Sequence, residues 1–187
     1  MKKEIDTNNN YNKDDIYKNL ENINGWINNS DTKASIVLGL DGVMLSIIFT
    51  NDIFVSNYIN IFKNVFKSIN FSDILYIGFT IGSIVMLIFG LYKLIQVLVP
   101  TLKINFNNSK PSHIYFGSIA SFNSCSEFKF SIKKLSEEDI MDNLLNQVYI
   151  NSLICNNKFN NFKTGLKHSL IGFVLIIILF ILGLLVY

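Results

Sequence analysis

Three long apolar runs constrain what this chain of 187 residues can fold into more than any other feature. They cover residues 34–50, 74–99 and 169–187. At a helical rise of about 1.5 Å per residue, each is about long enough to cross a hydrocarbon layer of roughly 30 Å. Half of the residues (50%) are hydrophobic, and the mean hydropathy of +0.35 is above what a soluble domain of this size needs for its core. We therefore predict an all-α membrane protein with three transmembrane helices and a mainly helical cytosolic part.

The three runs differ in how strongly each predicts a span. The run 169–187 carries no charge, and the run 74–99 carries only Lys93 near its end. The run 34–50 is the weakest, because it is short and has Asp41 near its middle. A charge at the centre of a bilayer costs about 3 kcal/mol on insertion scales, so we expect Asp41 to be protonated or to face protein or water. Two spans with a buried hairpin are the alternative architecture.

Lysines alone predict the orientation, since the chain contains no arginine. Five lysines precede the first run and eight lie between the second and third, whereas the loop between the first two runs has only Lys63 and Lys67. The positive-inside rule then places the N-terminus in the cytosol and the C-terminus on the far side of the cell (inner) membrane. The predicted order is a cytosolic N-terminal helix (1–33), transmembrane helix 1 (34–50), an extracytoplasmic loop (51–73), transmembrane helix 2 (74–99), a cytosolic region (100–168) and transmembrane helix 3 (169–187).

Periodicity predicts that helices continue from the spans into the cytosolic parts. Apolar residues recur at helical spacing before the first span, at Ile16, Leu20, Ile23 and Ile27. Acidic residues follow Ser136 in the pattern of a capped helix start, and no proline interrupts the chain from there to the last span. One helix of about 75 Å is therefore predicted from about Glu137 to the end of the chain.

Two segments between the spans are less regular. Phe128, Phe130 and Ile132 alternate with polar residues, which predicts a short strand or extended edge. In the loop 51–73, aromatic residues recur at helical spacing. This predicts either an interfacial helix on the outer leaflet or a helix that extends the first span.

Charge, cysteine and histidine content exclude several classes of function. The net charge of +2 is too small to indicate a nucleic-acid partner. Cys125 and Cys155 lie in the predicted cytosolic part and lack metal-ligand spacing, so we expect reduced thiols. His113 and His168 are the only histidines, and no catalytic or phosphate-binding motif accompanies them. We predict no enzyme, no metal site and no cofactor.

Two polar and aromatic groups are candidate ligand sites. Trp26, Asp31 and Lys33 lie just before the first span, where they either anchor the helix in the interface or contact a ligand. Further along, Tyr115 precedes Gly117, a residue that permits close approach. This pair could form a stacking surface for a base, or the aromatic residues could simply pack in a core.

A third candidate lies on the long predicted helix. Gln147, Asn151 and Lys158 follow at spacings of four and seven, so they share one helical face. Amides and a lysine suit a ligand with base edges and a phosphate, and a solvated helix face is the alternative. Within the spans, Gly78 and Gly82 form a small-xxx-small pattern that allows close helix packing. Asp41 is the corresponding candidate for helix packing or for lining a pore, which requires an oligomer.

Three motifs resemble the transmembrane effector of Pycsar antiphage defence systems. They are W-x3-S-D-x-K-A-S from Trp26, H-I-Y-F-G-x-I-A from His113 and Q-x-Y-x-N-S-x-I-x3-K-F from Gln147. The resemblance covers roughly Leu20 to Tyr187. It implies an antiviral defence effector, in the cell membrane, that is activated by a cyclic pyrimidine mononucleotide (cyclic CMP or cyclic UMP) from an adjacent cyclase. The effector would then disrupt membrane integrity, as a homo-oligomer, and cause abortive infection.

The resemblance supplies no ligand residues, so the candidates above come from residue patterns alone. Since the sequence has no obvious separate nucleotide-binding domain, we expect any messenger site to be made from residues 101–168 and the stretch before the first span, within one chain or between subunits. Without arginine there is no bidentate phosphate clamp, so Lys33, Lys158 or backbone amides would contact the phosphate. Two alternatives stay open: a pore-forming protein triggered by a protein partner without a nucleotide site, and a scaffold that anchors a soluble partner.

Overall fold

The computed structural model describes residues 12–67, 69–99 and 112–187, and within these residues all regular structure is helical. Three of the helices are long and apolar enough to cross a membrane, which confirms the predicted all-α class with three spans. The predicted elements at residues 1–11 and 100–111 lie outside the described residues. In chain order the helices are α1 (Lys13–Thr50), α2 (Asp52–Val65), α3 (Phe71–Leu98), α4 (Phe116–Ala120), α5 (Cys125–Lys133) and α6 (Glu137–Val186).

Contacts divide the described chain into two compact units. The first unit contains residues 12–28 and 112–156, and the second contains residues 29–99 and 157–187. The division falls inside α1 and inside α6, so each of these helices contributes to both units. The second unit holds the three apolar runs found in the sequence.

The two long helices confirm the periodicity argument. Helix α1 runs without a break through Gly25, and the Asp15 carboxylate accepts a hydrogen bond from the Asn12 amide at 3.2 Å at its start. At the start of α6, the Ser136 hydroxyl accepts from the Asp139 amide at 3.1 Å, and the Asp139 carboxylate accepts from the Ser136 amide at 3.1 Å. These caps satisfy amides that a helix leaves without intrahelical partners.

The predicted strand over residues 128–132 is wrong, because this segment forms α5. The Ser124 hydroxyl accepts a hydrogen bond from the Glu127 amide at 3.1 Å and caps the helix. Phe128 packs against Phe122, with ring centroids 5.3 Å apart, but Phe130 is 61% exposed. The alternating residues therefore do not share a buried face, and an alternation over only five residues was too short to outweigh a helix cap.

Helix α2 occupies the loop between the first two spans. Its start excludes one of the two alternatives for this loop, namely a helix that extends the first span. Asn51 is extended, and its side-chain oxygen accepts from the Phe54 amide at 3.0 Å. Helix α2 therefore has its own N-cap and does not extend α1. Its buried residues Ile61 and Val65 pack with Tyr76 and Leu179 of the second unit. A position on the outer leaflet stays a prediction.

Buried residues on α3 and α6 recur at alternating steps of three and four, the spacing of a heptad seam. Glycines bring the two backbones together along this seam. A Cβ atom added at Gly172 would lie 2.7 Å from the Leu87 amide nitrogen, and one added at Gly165 would lie 2.9 Å from the Leu94 amide nitrogen. The seam comprises Tyr76, Thr80, Ser83, Leu87, Gly90, Leu94 and Val97 on α3, and Gly165, Ser169, Gly172, Ile176, Leu179 and Gly183 on α6.

The glycines singled out in the sequence are not part of this seam. Nothing lies within 4 Å of a Cβ atom added at Gly78 or Gly82, so the small-xxx-small pattern is not used for packing between the described helices of one chain. Close packing at these two glycines stays a prediction for contacts between chains of an oligomer.

Replacing Gly172 with leucine should separate α3 from α6, whereas the same change at Gly78 should not. Both changes remove a helical glycine and gain the same helix propensity, so their difference reports packing alone. We expect the Gly172→Leu variant to be less stable by about 3 kcal/mol, the upper end for overpacked cores. Thermal unfolding in detergent measures this difference. Equal melting of the two variants would contradict the seam.

Candidate functional site

A buried lysine joins the three spanning helices of the second unit. Lys158 of α6 is only 6% exposed, and its Nζ donates to the Asp31 carboxylate of α1 at 2.5 Å. The same Nζ donates to the Val97 carbonyl of α3 at 2.6 Å. The last four carbonyls of a helix lack intrahelical partners, and a cation is favourable there because of the helix dipole. We call Lys158, Asp31 and the Val97 carbonyl the lysine clamp.

A second polar contact between α3 and α6 lies about one turn from the clamp, before Val97 on α3 and after Lys158 on α6. The Lys93 Nζ donates to the Gln96 side-chain oxygen at 3.0 Å and lies 3.4 Å from the Asn161 side-chain oxygen. The Gln96 amide in turn donates to the Tyr92 hydroxyl at 2.8 Å. This lysine is thus held by neutral acceptors, while Lys158 is held by a carboxylate.

Asp41 of α1 packs against protein. It is 3% exposed, and its hydrogen-bonding neighbour is Ser169, which lies in the α3–α6 seam. Its second carboxylate oxygen, Oδ2, has no hydrogen-bond partner among the described residues. This placement fits the expectation that an acid in a span faces protein. A pore-lining role for Asp41 stays a prediction.

Three amide side chains form a row in the first unit. The Gln147 amide donates to the Asn151 side-chain oxygen at 2.9 Å, and the Asn151 amide donates to the Asn24 side-chain oxygen at 2.7 Å. We call Asn24, Asn151 and Gln147 the amide row. The row links α1 to α6 within this unit, and its two end amides are polar groups that suit the edge of a base.

The aromatic candidate is a small packed cluster in the same unit. The Tyr115 ring covers Gly117 so closely that an added Cβ atom would lie 2.6 Å from the ring carbon Cε1. Tyr115 also packs against Phe116, with ring centroids 4.8 Å apart. The close approach that the glycine permits is therefore made by Tyr115. Next to it, the His113 Nε2 lies 2.7 Å from the Ser131 hydroxyl.

The predicted ligand residues fall in different units. The solvated-face alternative is wrong for Gln147, which is 8% exposed, and for Lys158, which is buried. Asn151 joins Gln147 in the amide row, whereas Lys158 pairs with Asp31 in the second unit. The first unit contains Trp26, Tyr115, Gly117, Gln147 and Asn151, and the second contains Asp31, Lys33 and Lys158.

The residue patterns missed three participants, namely Asn24, the Val97 carbonyl and Ser169. Asn24 and Asn151 are 127 positions apart, so no local spacing connects them. The Val97 carbonyl is a backbone group and has no sequence signal beyond its place at a helix end. Of the predicted residues, Trp26 and Lys33 are exposed and do not belong to the packed core.

Comparison with known proteins gives the family. A family model described as "PycTM: Pycsar effector protein domain" matches residues 15–185. The chain belongs to the Pycsar effector family. The match spans all three motifs quoted above, both compact units and all three candidate spans.

A curated relative agrees with this assignment. The Pycsar effector protein GmPycTM of Gulbenkiania mobilis is 30% identical over 178 residues, which cover 89% of this chain and 90% of the relative. No solved structure gives a significant match. This Pycsar effector is therefore a multi-pass membrane protein, and the family model covers its candidate spans together with α2, α4 and α5.

Neutralising Asp31 should destabilise this Pycsar effector more than removing the whole ion pair. Asp31→Asn leaves a buried ammonium without its carboxylate. We expect a loss of about 2 kcal/mol, below the 3–5 kcal/mol of fully buried pairs because the Asp31 side chain is 34% exposed. Unfolding in detergent checks this. The double variant Asp31→Asn, Lys158→Met should recover part of the loss, and no difference between the two variants would contradict the clamp.

The two cysteines should differ in reactivity. Cys125 is exposed, whereas Cys155 is buried, and burial raises the pKa of the Cys155 thiol. Since the thiolate is the reactive form, a raised pKa keeps Cys155 protonated up to a higher pH. We expect a maleimide to modify Cys125 at least tenfold faster at pH 7.5, as followed by mass spectrometry of the intact protein. Equal rates would contradict this burial.

Proposed function

We propose that this Pycsar effector binds a cyclic pyrimidine mononucleotide, cyclic CMP or cyclic UMP, and then disrupts the cell membrane. An adjacent cyclase would make the messenger during infection, and loss of membrane integrity would end the infection with the cell. The observation that carries this proposal is the family match over residues 15–185, which includes the extramembrane helices as well as the spans. In this proposal the N-terminus is cytosolic and the C-terminus extracytoplasmic.

The amide row supports a site for the base. Among the described hydrogen bonds, the Gln147 oxygen and the Asn24 amide at the two ends of the row take no part in the row itself. An acceptor and a donor can pair with the edge of cytosine or of uracil, because both bases offer donors and acceptors. The row therefore suits pyrimidines as a class and does not select between the two.

Aromatic residues of the same unit support stacking. Trp26 is exposed on α1 two residues after Asn24, and Tyr115 is held by Gly117 and Phe116. An indole or phenol ring provides a face on which a base can stack, at a gain of about 1–3 kcal/mol per base. Trp26, Tyr115 and Gly117 are thus retained in the proposed site together with Gln147 and Asn151.

The phosphate contact is assigned to a lysine or to backbone amides, since arginine is absent. Lys33 is exposed, whereas Lys158 already donates to Asp31 and to the Val97 carbonyl. Of these two lysines, Lys33 is therefore the better candidate for contacting the messenger phosphate. Asp31 and Lys158 are better candidates for positioning the helices than for touching the messenger.

Binding can drive a change in the spans only if the messenger binds the membrane-disrupting state more tightly than the resting state. The amide row is made by α1 and α6, and both helices also contribute to the second unit. A messenger bound between chains of a homo-oligomer would favour assembly and supply such a preference. No catalytic step is part of this proposal.

Reconstitution in dye-loaded liposomes tests the proposed function. We expect leakage on addition of cyclic CMP or cyclic UMP, and none with cyclic purine mononucleotides or cyclic dinucleotides. The Gln147→Ala variant should need about ten to a hundred times more messenger, because a hydrogen bond to a buried amide is lost. Asn146→Ala is the matched control, since Asn146 is an exposed amide on the same helix.

Each outcome of this experiment separates the candidate functions. Leakage with equal messenger sensitivity in both variants would remove the amide row from the site and leave the proposed function intact. Leakage without any nucleotide would favour a pore-forming protein with another trigger. Absence of leakage from folded, inserted protein, together with a co-purifying protein, would favour the scaffold.

A further inference from the structure

An open groove of about 590 Å³ lies along α2 in the second unit. We propose that this groove binds the headgroup and upper acyl chain of an anionic phospholipid in the leaflet that α2 faces. The inference needs no messenger, so it stands or falls separately from the proposed function. Its lining residues are Tyr58, Ile59, Phe62, Lys63, Phe66 and Lys67.

The inner face of α2 packs against other helices of the second unit, and these contacts hold the helix that carries the groove. Ile61 and Val65 are buried against Tyr76 and Leu179. The ring of Phe54 stacks on Phe180 with centroids 4.0 Å apart, and Tyr58 lies parallel to the same ring at 5.8 Å. These contacts attach α2 to α3 and α6 and leave its opposite face outside the packed core.

The outer face of α2 combines apolar and cationic side chains. Ile59 is 50% exposed and Phe66 is 59% exposed, and Lys63 and Lys67 are exposed beside them. Large apolar side chains interleaved with lysines are typical of helices at the boundary between headgroups and acyl chains. There the rings enter the acyl region while the lysine ammonium groups reach the headgroups.

Charge complementarity identifies the headgroup. Lys63 and Lys67 are four residues apart and therefore lie on the same side of α2, and no acidic residue lines the groove. Asp73, at the start of α3, already accepts hydrogen bonds from the Tyr187 hydroxyl and, at 2.8 Å, from the Asn70 amide. Two adjacent ammonium groups without a carboxylate partner in the groove suit the phosphate of a lipid that carries a net negative charge.

Apolar surface next to the groove suits the acyl chain. The first turns of α3 expose Phe71, Ile74 and Leu75, and Phe62 in the groove wall lies 6.4 Å from the Tyr76 ring between centroids. A soluble phosphate would use only the two lysines. A lipid would use the lysines and the aromatic wall together, which is why we assign the groove to a lipid.

Native mass spectrometry of the full chain in detergent tests this inference. Phosphatidylglycerol and phosphatidylcholine would be titrated separately onto the parent protein and onto Lys63→Gln, Lys67→Gln. We expect tighter binding of phosphatidylglycerol by the parent, and an affinity about 25-fold lower in the double variant, since each lysine near a lipid surface contributes about fivefold. Binding of phosphatidylcholine should not change.

The control is Lys129→Gln, Lys133→Gln, which removes two exposed lysines of the same spacing from α5. This variant should bind phosphatidylglycerol like the parent. Glycerol phosphate, which carries the headgroup chemistry without acyl chains, should not displace the lipid at equal concentration. Equal affinity for the two lipids, an equal loss in both variants, or displacement by glycerol phosphate would overturn the proposal. The proposal would also be overturned if Lys63→Gln, Lys67→Gln changed the number of chains in the complex and left the affinity for phosphatidylglycerol unchanged.

Discussion

The contact between the backbones of α3 and α6 determines where the polar groups of the membrane part lie. With hydrogen atoms in place of side chains at Gly165 and Gly172, the α3 backbone comes so close to α6 that a Cβ atom at either glycine would lie within 3 Å of an α3 backbone nitrogen. This distance brings the Lys158 ammonium, one heptad before Gly165, onto the Val97 carbonyl. Larger residues would widen the seam, and the ammonium would then lose its place at the end of α3.

The polar contacts give the seam a register that apolar packing alone leaves open. A heptad stripe of apolar and small residues can shift by one repeat with little change in the area that it buries. Lys158 on Val97 and Lys93 on Asn161 each fit only one alignment of α3 against α6. Because an unpaired polar group in an apolar environment is costly, these contacts penalise every other alignment.

The sequence predicts what depends on local periodicity and fails where contact partners are distant. The spans, the helix before the first span and the start of α6 at Glu137 all follow from spacing and capping within a few residues. The predicted strand over residues 128–132 was wrong, because an alternation of five residues is also compatible with a capped helix, here α5. Gly78 and Gly82 matched a packing pattern, yet the two α6 glycines that meet the α3 backbone, Gly165 and Gly172, are seven residues apart. The pairing of Asn24 with Asn151 has no local signal at all.

The lysine clamp has a consequence for the order in which the protein is made. Lys158 leaves the ribosome after both of its partners, 127 residues later than Asp31 and 61 residues later than Val97. Ser169, the neighbour of Asp41, is later still. Until α6 has been made, Asp31, Asp41 and the Val97 carbonyl at the end of α3 are without these partners. Nascent chains that stop before α6 therefore cannot complete the bundle, and biosynthesis itself delays assembly of the membrane part until α6 has been made.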